Sequence, residues 1–101
     1  MFMIYVPCAN RQEAEKIAGN LVEGKLAVCV NILDKVTSVY RWQGKVEKQA
    51  EAVMIVKTVR KKLVQAVAAI KKQHSYEFPD IIYWEGKSSR EIDEWMNLEL
   101  T

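Results

Sequence analysis

The fold of this 101-residue chain is decided by one stretch, LAVCVNILDKVTSVYRWQGKVEKQAEAVMIV, at residues 26–56. The stretch predicts two β-strands joined at Gln43-Gly44, because glycine supplies the positive φ that a tight hairpin turn needs. Asp34-Lys35 interrupts the first arm, which resumes at Val36, and this pattern indicates a β-bulge rather than a new element. Each arm is far longer than the usual strand of about 5–6 residues.

The segments on either side of this hairpin predict the rest of a small α+β domain. Asn10 with Glu13 marks a helix N-terminus by the capping-box pattern, and Gly24 is predicted to be the left-handed residue that ends the helix. Ser88 with Glu91 marks the start of a closing helix in the same way. The other predicted elements are a strand at 1–6 that Pro7 ends, a helix at 58–73 and a strand at 81–84.

The predicted order β-α-β-β-α-β, followed by a C-terminal helix, is that of a ferredoxin-like sandwich formed by a single domain over residues 1–101. Right-handed crossovers place both main helices on one face of a four-stranded antiparallel sheet. The extended central hairpin exceeds the minimal fold, and a two-stranded ribbon is not stable alone. Its apolar residues need a covering surface, for which another copy of the chain is the economical choice. We therefore expect a homo-oligomer with Tyr40 and Trp42 at its subunit contacts.

Composition and charge narrow the class of protein. Half of the residues are apolar and 28% are charged, as in an ordinary globular domain. The net charge is +2 with the signs interleaved, which does not favour a nucleic-acid partner. No apolar run approaches the roughly 18 residues of a membrane span, and the N-terminus shows no signal-peptide pattern. With two cysteines, Cys8 and Cys29, the expectation is a cytoplasmic protein with reduced thiols and no membrane partner.

Two other functions occur on the same order of elements. RNA recognition by an RRM needs aromatic side chains on the sheet, and the predicted strand at 51–57 has none. Acyl-phosphate hydrolysis needs an arginine-bearing phosphate loop after the first strand. Arg11 is present there, but residues 7–11 contain no glycine to form the cradle. The sequence therefore favours neither function.

Several motifs, in order along the chain, resemble those of the CutA (divalent-cation-tolerance) family. LAVCVNI at 26–32 is similar to its second-strand signature, and SVYRWQGK at 38–45 is similar to its aromatic hairpin tip. Lys57-Thr58, the segment from His74 to Tyr76 and Trp95 are similar to later positions of the family pattern. Because the motifs cover essentially the whole chain, the protein is identified as a member of this family.

The resemblance implies a stable homotrimer in which the long hairpins pair strands between subunits. It further implies a cytoplasmic protein, without enzymatic activity, that takes part in the response to and tolerance of copper and other divalent ions. Weak binding of Cu(II) or another divalent cation is the corresponding cofactor expectation. A second hypothesis is a signalling trimer like the PII proteins, which share the architecture, with a small ligand bound between subunits.

The metal ligands that the resemblance implies are only partly present in this sequence. Where the family has a cysteine at the end of the first strand and two consecutive histidines, this chain has Val6, Gln73 and His74. Cys8 lies two residues past the expected cysteine and is predicted to be accessible in a loop after Pro7. His74, Cys8 and Cys29 are therefore the candidate ligands, because imidazole and thiolate suit copper. Two of these residues have an alternative role that involves no metal. His74 could interact with the last carbonyl groups of a helix, and Cys29 could be a buried thiol that only packs in the core.

A cleft between subunits is the other candidate site. Closed assemblies form small clefts at strand ends, and Glu51, Lys57 and Tyr76 are predicted to line one. The alternative for these three residues is hydrogen bonding between subunits.

Overall fold

The computed structural model describes residues 1–101 as one antiparallel sheet with three α-helices. The sheet order is β2-β3-β1-β4. The elements are β1 (Phe2–Cys8), α1 (Arg11–Glu23), β2 (Cys29–Trp42), β3 (Lys45–Thr58), a short 3₁₀ helix (Arg60–Lys62), α2 (Leu63–Gln73), β4 (Ile82–Glu85) and α3 (Arg90–Glu99). The predicted number, type and order of the main strands and helices are confirmed. None of the helices is long and apolar enough to cross a membrane.

The central hairpin has 14 residues in each arm, and its two local irregularities lie where the sequence places them. The pairing of β2 with β3 shifts between Leu33 and Val36, and Lys35 has a φ of 59°. At the tip, Gln43 and Gly44 have φ values of 50° and 79°, as a two-residue primed turn requires. The bulge and the turn are both confirmed.

The first strand is longer than predicted, because Pro7 lies inside it. Pro7 pairs with Val53 and Cys8 pairs with Ala52, while β4 reaches along β1 only as far as Tyr5. The alternation of the ladder directs the backbone nitrogen of residue 7 to the β4 side, beyond the end of that strand, so its missing N–H removes no ladder bond. The prediction of an accessible loop at Cys8 is therefore wrong: Cys8 is a fully buried strand residue.

Two helix ends differ by one residue from their predictions. The left-handed residue after α1 is Lys25, with a φ of 58°, whereas Gly24 has a φ of −81°. Lys25 N donates to Val22 O and Leu26 N donates to Leu21 O, which is the Schellman pattern one position later than expected. The N-cap of α3 is Ser89 rather than Ser88.

The main core lies on one face of the sheet, beneath α1 and α2. Alternate residues of β1 and β3 point into it and meet the apolar stripes of the two helices. Its buried members are Ile4, Val6, Cys8, Ala14, Ile17, Ala18, Leu21, Ala27, Ala52, Met54, Val56, Ala66 and Ile70. Side chains on the other face of the sheet, among them Tyr5, Ser38 and Tyr40, are not covered by a helix.

The whole molecule, including the hairpin, measures 45 × 23 × 22 Å and is therefore elongated. Val39 and Val46 on one face of its outer half are about two-thirds exposed, and Tyr40 and Trp42 on the other face are 38% and 49% exposed. β2 and β4 are both edge strands, and all four residues of β4 are exposed. The hairpin and β4 thus combine exposed apolar side chains with unpaired backbone edges.

Candidate functional site

A groove of about 500 Å³ lies on the helix-free face of the sheet, between the hairpin and the segment that joins α2 to β4. Its lining is aromatic and acidic, without a lysine or arginine. The aromatic members are Tyr5, Tyr40, Trp42, Tyr76 and Phe78. The carboxylates are Glu51, Glu77 and Asp80, and the remaining members are Pro7, Ser38 and Gln49.

A chain of three hydrogen bonds fixes the polar side chains of this groove. Tyr40 Oη donates to Gln49 Oε1 at 2.8 Å, and Gln49 Nε2 donates to Tyr76 Oη at 2.9 Å. Tyr76 Oη in turn donates to Glu51 Oε2 at 2.8 Å. Burial and the carboxylate of Glu51 raise the pKa of Tyr76 well above its usual value, so this phenol remains a donor. The chain ties the hairpin to the segment after α2.

Two of the three residues predicted to share a cleft meet in this groove. Glu51 and Tyr76 are hydrogen-bonded to each other, whereas Lys57 does not line the groove. Lys57 lies six residues further along β3, about 20 Å away at the rise of a β-strand, and pairs with Met3 and Cys29. Tyr40 and Trp42, predicted to be subunit contacts, also line the groove.

A second cluster brings together Cys8, His74 and Glu13, whose ligand atoms all lie within 4.8 Å of one another. β1 supplies the thiol, the first turn of α1 supplies the carboxylate, and the residue after α2 supplies the imidazole. Cys29, the third predicted ligand, is half-buried at the start of β2 beside Lys57 and is not part of this cluster.

Protein groups already use both ring nitrogens of His74. Nε2 lies 2.8 Å from Pro7 O, and Tyr76 N donates to Nδ1 at 3.0 Å. A neutral ring protonated at Nε2 satisfies both bonds, which leaves no free lone pair for a metal ion. Glu13 Oε1, 3.4 Å from Nδ1, accepts from Ser75 N, and Glu13 Oε2 accepts from Ser75 Oγ at 2.5 Å.

The environment of Cys8 holds its sulfur as a thiol. Burial first, and then the carboxylates of Glu13 and Glu51, raise the pKa of Cys8 from 9.0 to about 12. A metal ion binds the thiolate, which is scarce near neutral pH at this position. The thiol itself points toward Val6 O, with a sulfur–oxygen distance of 3.8 Å.

As arranged, this cluster does not fit a bound copper ion. The imidazole and the carboxylate are occupied by hydrogen bonds, and the thiol is protonated. Binding would require the loss of the bond between Tyr76 N and His74. The same bonds explain the cluster without an ion, since they join β1, α1 and the segment after α2.

The comparison with protein families identifies the chain. Residues 2–99 match the family model described as "CutA1 divalent ion tolerance protein". The chain belongs to the CutA1 family. The resemblance drawn from the sequence motifs is therefore confirmed.

Relatives and solved CutA structures agree with this assignment. The chain is 44% identical over 78 residues to divalent-cation tolerance protein CutA of Archaeoglobus fulgidus, covering 77% of this chain and 76% of the relative. The Thermus thermophilus protein of that name is 34% identical over 95 residues, covering 93% and 92%. The structure of the "periplasmic divalent cation tolerance protein CutA" from A. fulgidus superposes with a TM-score of 0.94 and 36% identity over all of both chains.

The chain spans about half the length of several eukaryotic CutA relatives. It covers 44% of "Protein CutA, chloroplastic" of Arabidopsis thaliana at 38% identity, and 52% of the Xenopus laevis homolog at 40% identity. The similarity to these longer CutA proteins therefore concerns one part of each.

Three residues whose side chains hydrogen-bond within the two sites, Glu13, Gln49 and Ser75, are not among the predicted site residues. The sequence predicts Glu13 only as a capping residue, and the backbone N–H of Glu13 does donate to Asn10 Oδ1. The carboxylate of Glu13, however, accepts a hydrogen bond from Ser75 Oγ. Gln49 lies two residues before Glu51 on the same strand, so the period of two would have placed both on one face. Nothing in the local sequence pairs Glu13 with Ser75.

Proposed function

We propose that this protein is a non-enzymatic, ferredoxin-like CutA subunit that works as a homotrimer in the tolerance of divalent metal ions, copper among them. The observation that carries the proposal is the uncovered hairpin. In the outer half of the hairpin, four large apolar side chains remain between 38% and 66% exposed in the single chain: Val39, Tyr40, Trp42 and Val46. A surface of this kind is stabilised when other copies cover it.

The two open sheet edges support closure between copies. The outer edge of β2 is unpaired, and so is the outer edge of β4 at the other side of the sheet. A head-to-tail contact that joins one edge to the other uses two different surfaces, and such contacts form a closed ring when the rotation between subunits returns to the start. The role in metal tolerance is supported by the family description and by the printed names of the relatives.

Light scattering coupled to size exclusion tests the assembly. We expect a mass three times that of the 11.6 kDa chain. Replacing Val39 and Val46 together by lysine should shift the mass toward the monomer, because charged side chains would be forced into the covered surface. Lysine at Val64 of α2, an exposed valine outside the hairpin, is the matched control and should leave the mass unchanged. A monomeric wild-type protein would refute the trimer.

Calorimetric titration with Cu(II) tests whether this chain binds the ion at the cluster of Cys8, Glu13 and His74. Ion binding at Cys8, Glu13 and His74 would have to displace existing hydrogen bonds, so we expect it to be weak. Wild type, Cys8→Ala and His74→Ala should accordingly bind Cu(II) with the same affinity within about twofold. A tenfold loss in either variant would place the ion at the cluster after all. Growth in copper of a host lacking its own CutA, with and without this chain, tests the tolerance role.

A second candidate function is favoured by one specific observation, the groove. We propose as the alternative a signalling trimer that binds a small ligand there, as PII-like proteins do between subunits. The groove volume is in the range of small-molecule sites, about 300–1,000 Å³. The buried carboxylate of Glu51, held by Tyr76, supplies the polar group that fixes a ligand.

The cytoplasm is the compartment that we propose. Its support is the pair of free cysteines, Cys8 and Cys29, because a reducing compartment maintains thiols. Relatives with chloroplastic or periplasmic in their names show that the family is not confined to one compartment. Fractionation of the native cells, with detection of the chain in the soluble cytoplasmic fraction, tests the proposal.

A further inference from the structure

We propose that the outer face of α2 and of the short 3₁₀ helix before it docks on an anionic phospholipid bilayer. This face, the α2 stripe, consists of Lys61, Val64, Ala68, Lys71 and Lys72. The inference does not depend on the role in metal tolerance or on the groove. It follows from the distribution of charge along the chain, from the burial pattern of α2 and from the lack of ion pairs at its lysines.

The two signs of charge alternate over most of the chain, but not around α2. No acidic residue occurs between Glu51 and Glu77, whereas six of the fifteen basic residues lie in this interval. Five of the six lie in the 3₁₀ helix and α2: Arg60, Lys61, Lys62, Lys71 and Lys72. The rest of the chain therefore has more acidic than basic residues, and the small net charge conceals one strongly basic segment.

The burial pattern of α2 brings much of this charge to one exposed side. All five residues of the α2 stripe are exposed, and they lie opposite Ala66 and Ile70, which are buried in the core. At the rise of an α-helix, the lysines at the two ends of the stripe are roughly 16 Å apart. α2 covers one face of the sheet, whereas the groove lies on the other, helix-free face. Contacts between copies through the hairpin and the helix-free face leave the stripe uncovered.

The lysines of this segment have no partner of opposite charge within the chain. Arg60 is paired with Glu85 at 2.8 Å, but Lys61, Lys62, Lys71 and Lys72 form no salt bridge. Like charges at this density repel one another, and a surface of opposite charge relieves the repulsion. The stripe therefore favours an extended anionic partner.

The composition of the stripe favours a lipid surface over a nucleic acid. It has no aromatic side chain to stack on bases and no arginine for bidentate contact with guanine. Lysine side chains adapt to the headgroups of a bilayer, and Val64, 80% exposed between them, adds apolar contact. Such docking is peripheral and requires no membrane-spanning helix, the absence of which was the basis for expecting no membrane partner. The cytoplasmic leaflet, which carries anionic lipids, faces the compartment proposed above.

Vesicle flotation of the full-length protein tests the docking. The vesicles consist of phosphatidylcholine alone, or of equal parts of phosphatidylcholine and phosphatidylserine. We expect binding to the mixed vesicles only, and binding at least tenfold weaker at about 0.5 M salt than at about 0.05 M, because salt screens exposed charges. This comparison uses the wild-type protein and does not depend on any variant's folding.

A triple variant locates the contact. Lys61→Gln/Lys71→Gln/Lys72→Gln removes three charges from exposed positions and keeps residues that favour a helix. One lysine near an anionic bilayer strengthens binding about fivefold, so we expect the triple variant to bind the mixed vesicles at least tenfold more weakly.

Two further variants separate the stripe from net charge and from loss of structure. Lys16→Gln/Lys35→Gln/Lys87→Gln removes the same charge from exposed positions elsewhere and should weaken binding less than threefold. Val64→Lys adds a lysine within the stripe and should strengthen binding about fivefold, a gain that misfolding does not explain.

Equal binding to neutral and mixed vesicles would overturn the proposal, and so would equal losses in the two triple variants. Duplex DNA is titrated as the competing polyanion. A wild-type protein that binds the duplex but no vesicles would also overturn the proposal and assign the stripe to nucleic acid. Light scattering on the same samples reports the assembly independently: a trimer that binds no vesicles refutes the docking and leaves the trimer intact.

Discussion

At the scale of single residues, the surroundings of Cys8 decide its chemistry. Its raised pKa, about 12 against 9.0, means that the folded state disfavours the thiolate. Between pH 9 and 12 the unfolded chain loses this proton while the folded chain keeps it, so this residue lowers the free energy of unfolding as the pH rises through that window. In Cys8→Ala the free energy of unfolding should fall less steeply between pH 9 and 12 than in the wild type, as measured by urea unfolding at several pH values.

Alkylation provides an independent measure of the same residue. We expect iodoacetamide at pH 8 to leave Cys8 unmodified in the native protein and to modify it in guanidinium, with peptide mass spectrometry as the readout. Half-buried Cys29 serves as the internal reference. Rapid modification of Cys8 under native conditions would contradict the burial and the raised pKa together.

At the scale of elements, the end of α1 offers a stability test. Lys25 adopts the left-handed conformation, which a side chain disfavours by about 1–2 kcal/mol and glycine does not. Lys25→Gly should therefore raise the free energy of unfolding by about 1 kcal/mol, measured in urea. Lys25→Ala is the matched control, since it also removes the exposed lysine but keeps a Cβ, and it should bring no gain. If Lys25→Gly and Lys25→Ala raised the free energy of unfolding equally, the gain would come from removal of the lysine charge and not from the backbone conformation.

The elements also show what the sequence could predict. The bulge at Asp34-Lys35, the turn at Gln43-Gly44 and the N-cap at Asn10 depend on residues a few positions apart, and all three were predicted. The continuation of β1 through Pro7 depends on where β4 begins, at Ile82, some 75 residues later in the chain. Local pattern carries no information about that distant boundary.

At the scale of the whole molecule, both candidate sites join distant segments. The bond between Ser75 and Glu13 spans 62 residues, and the contact between His74 and Pro7 spans 67. The sequence indicates most of the residues that form the two sites. Which of these residues contact one another depends on how α1 and α2 pack on the sheet. Prediction therefore reached His74, Cys8, Glu51 and Tyr76 and placed Glu51 with Tyr76. It missed Glu13, Gln49 and Ser75, the other side chains that hydrogen-bond within the two sites.

The proposed trimer makes a sharp prediction for the open edge of β4. Gly86 N donates to Met1 O, so by the alternation of an antiparallel ladder the N–H groups of Trp84 and Ile82 point to β1, while that of Tyr83 points outward. Tyr83→Pro removes this outward donor and puts its ring where a neighbouring strand would lie, yet it takes no bond from the subunit's own sheet.

We expect Tyr83→Pro to be a folded monomer in light scattering at micromolar concentrations, with the circular dichroism of the wild type. Tyr83→Ala is the matched control, because it removes the same half-exposed side chain and keeps the N–H, and it should stay assembled. A trimeric Tyr83→Pro would show that the β4 edge pairs with no other copy, and the contact would then have to lie in the hairpin alone. Dissociation of both variants would instead assign the contact to the tyrosine ring, because the backbone donor survives in one of them.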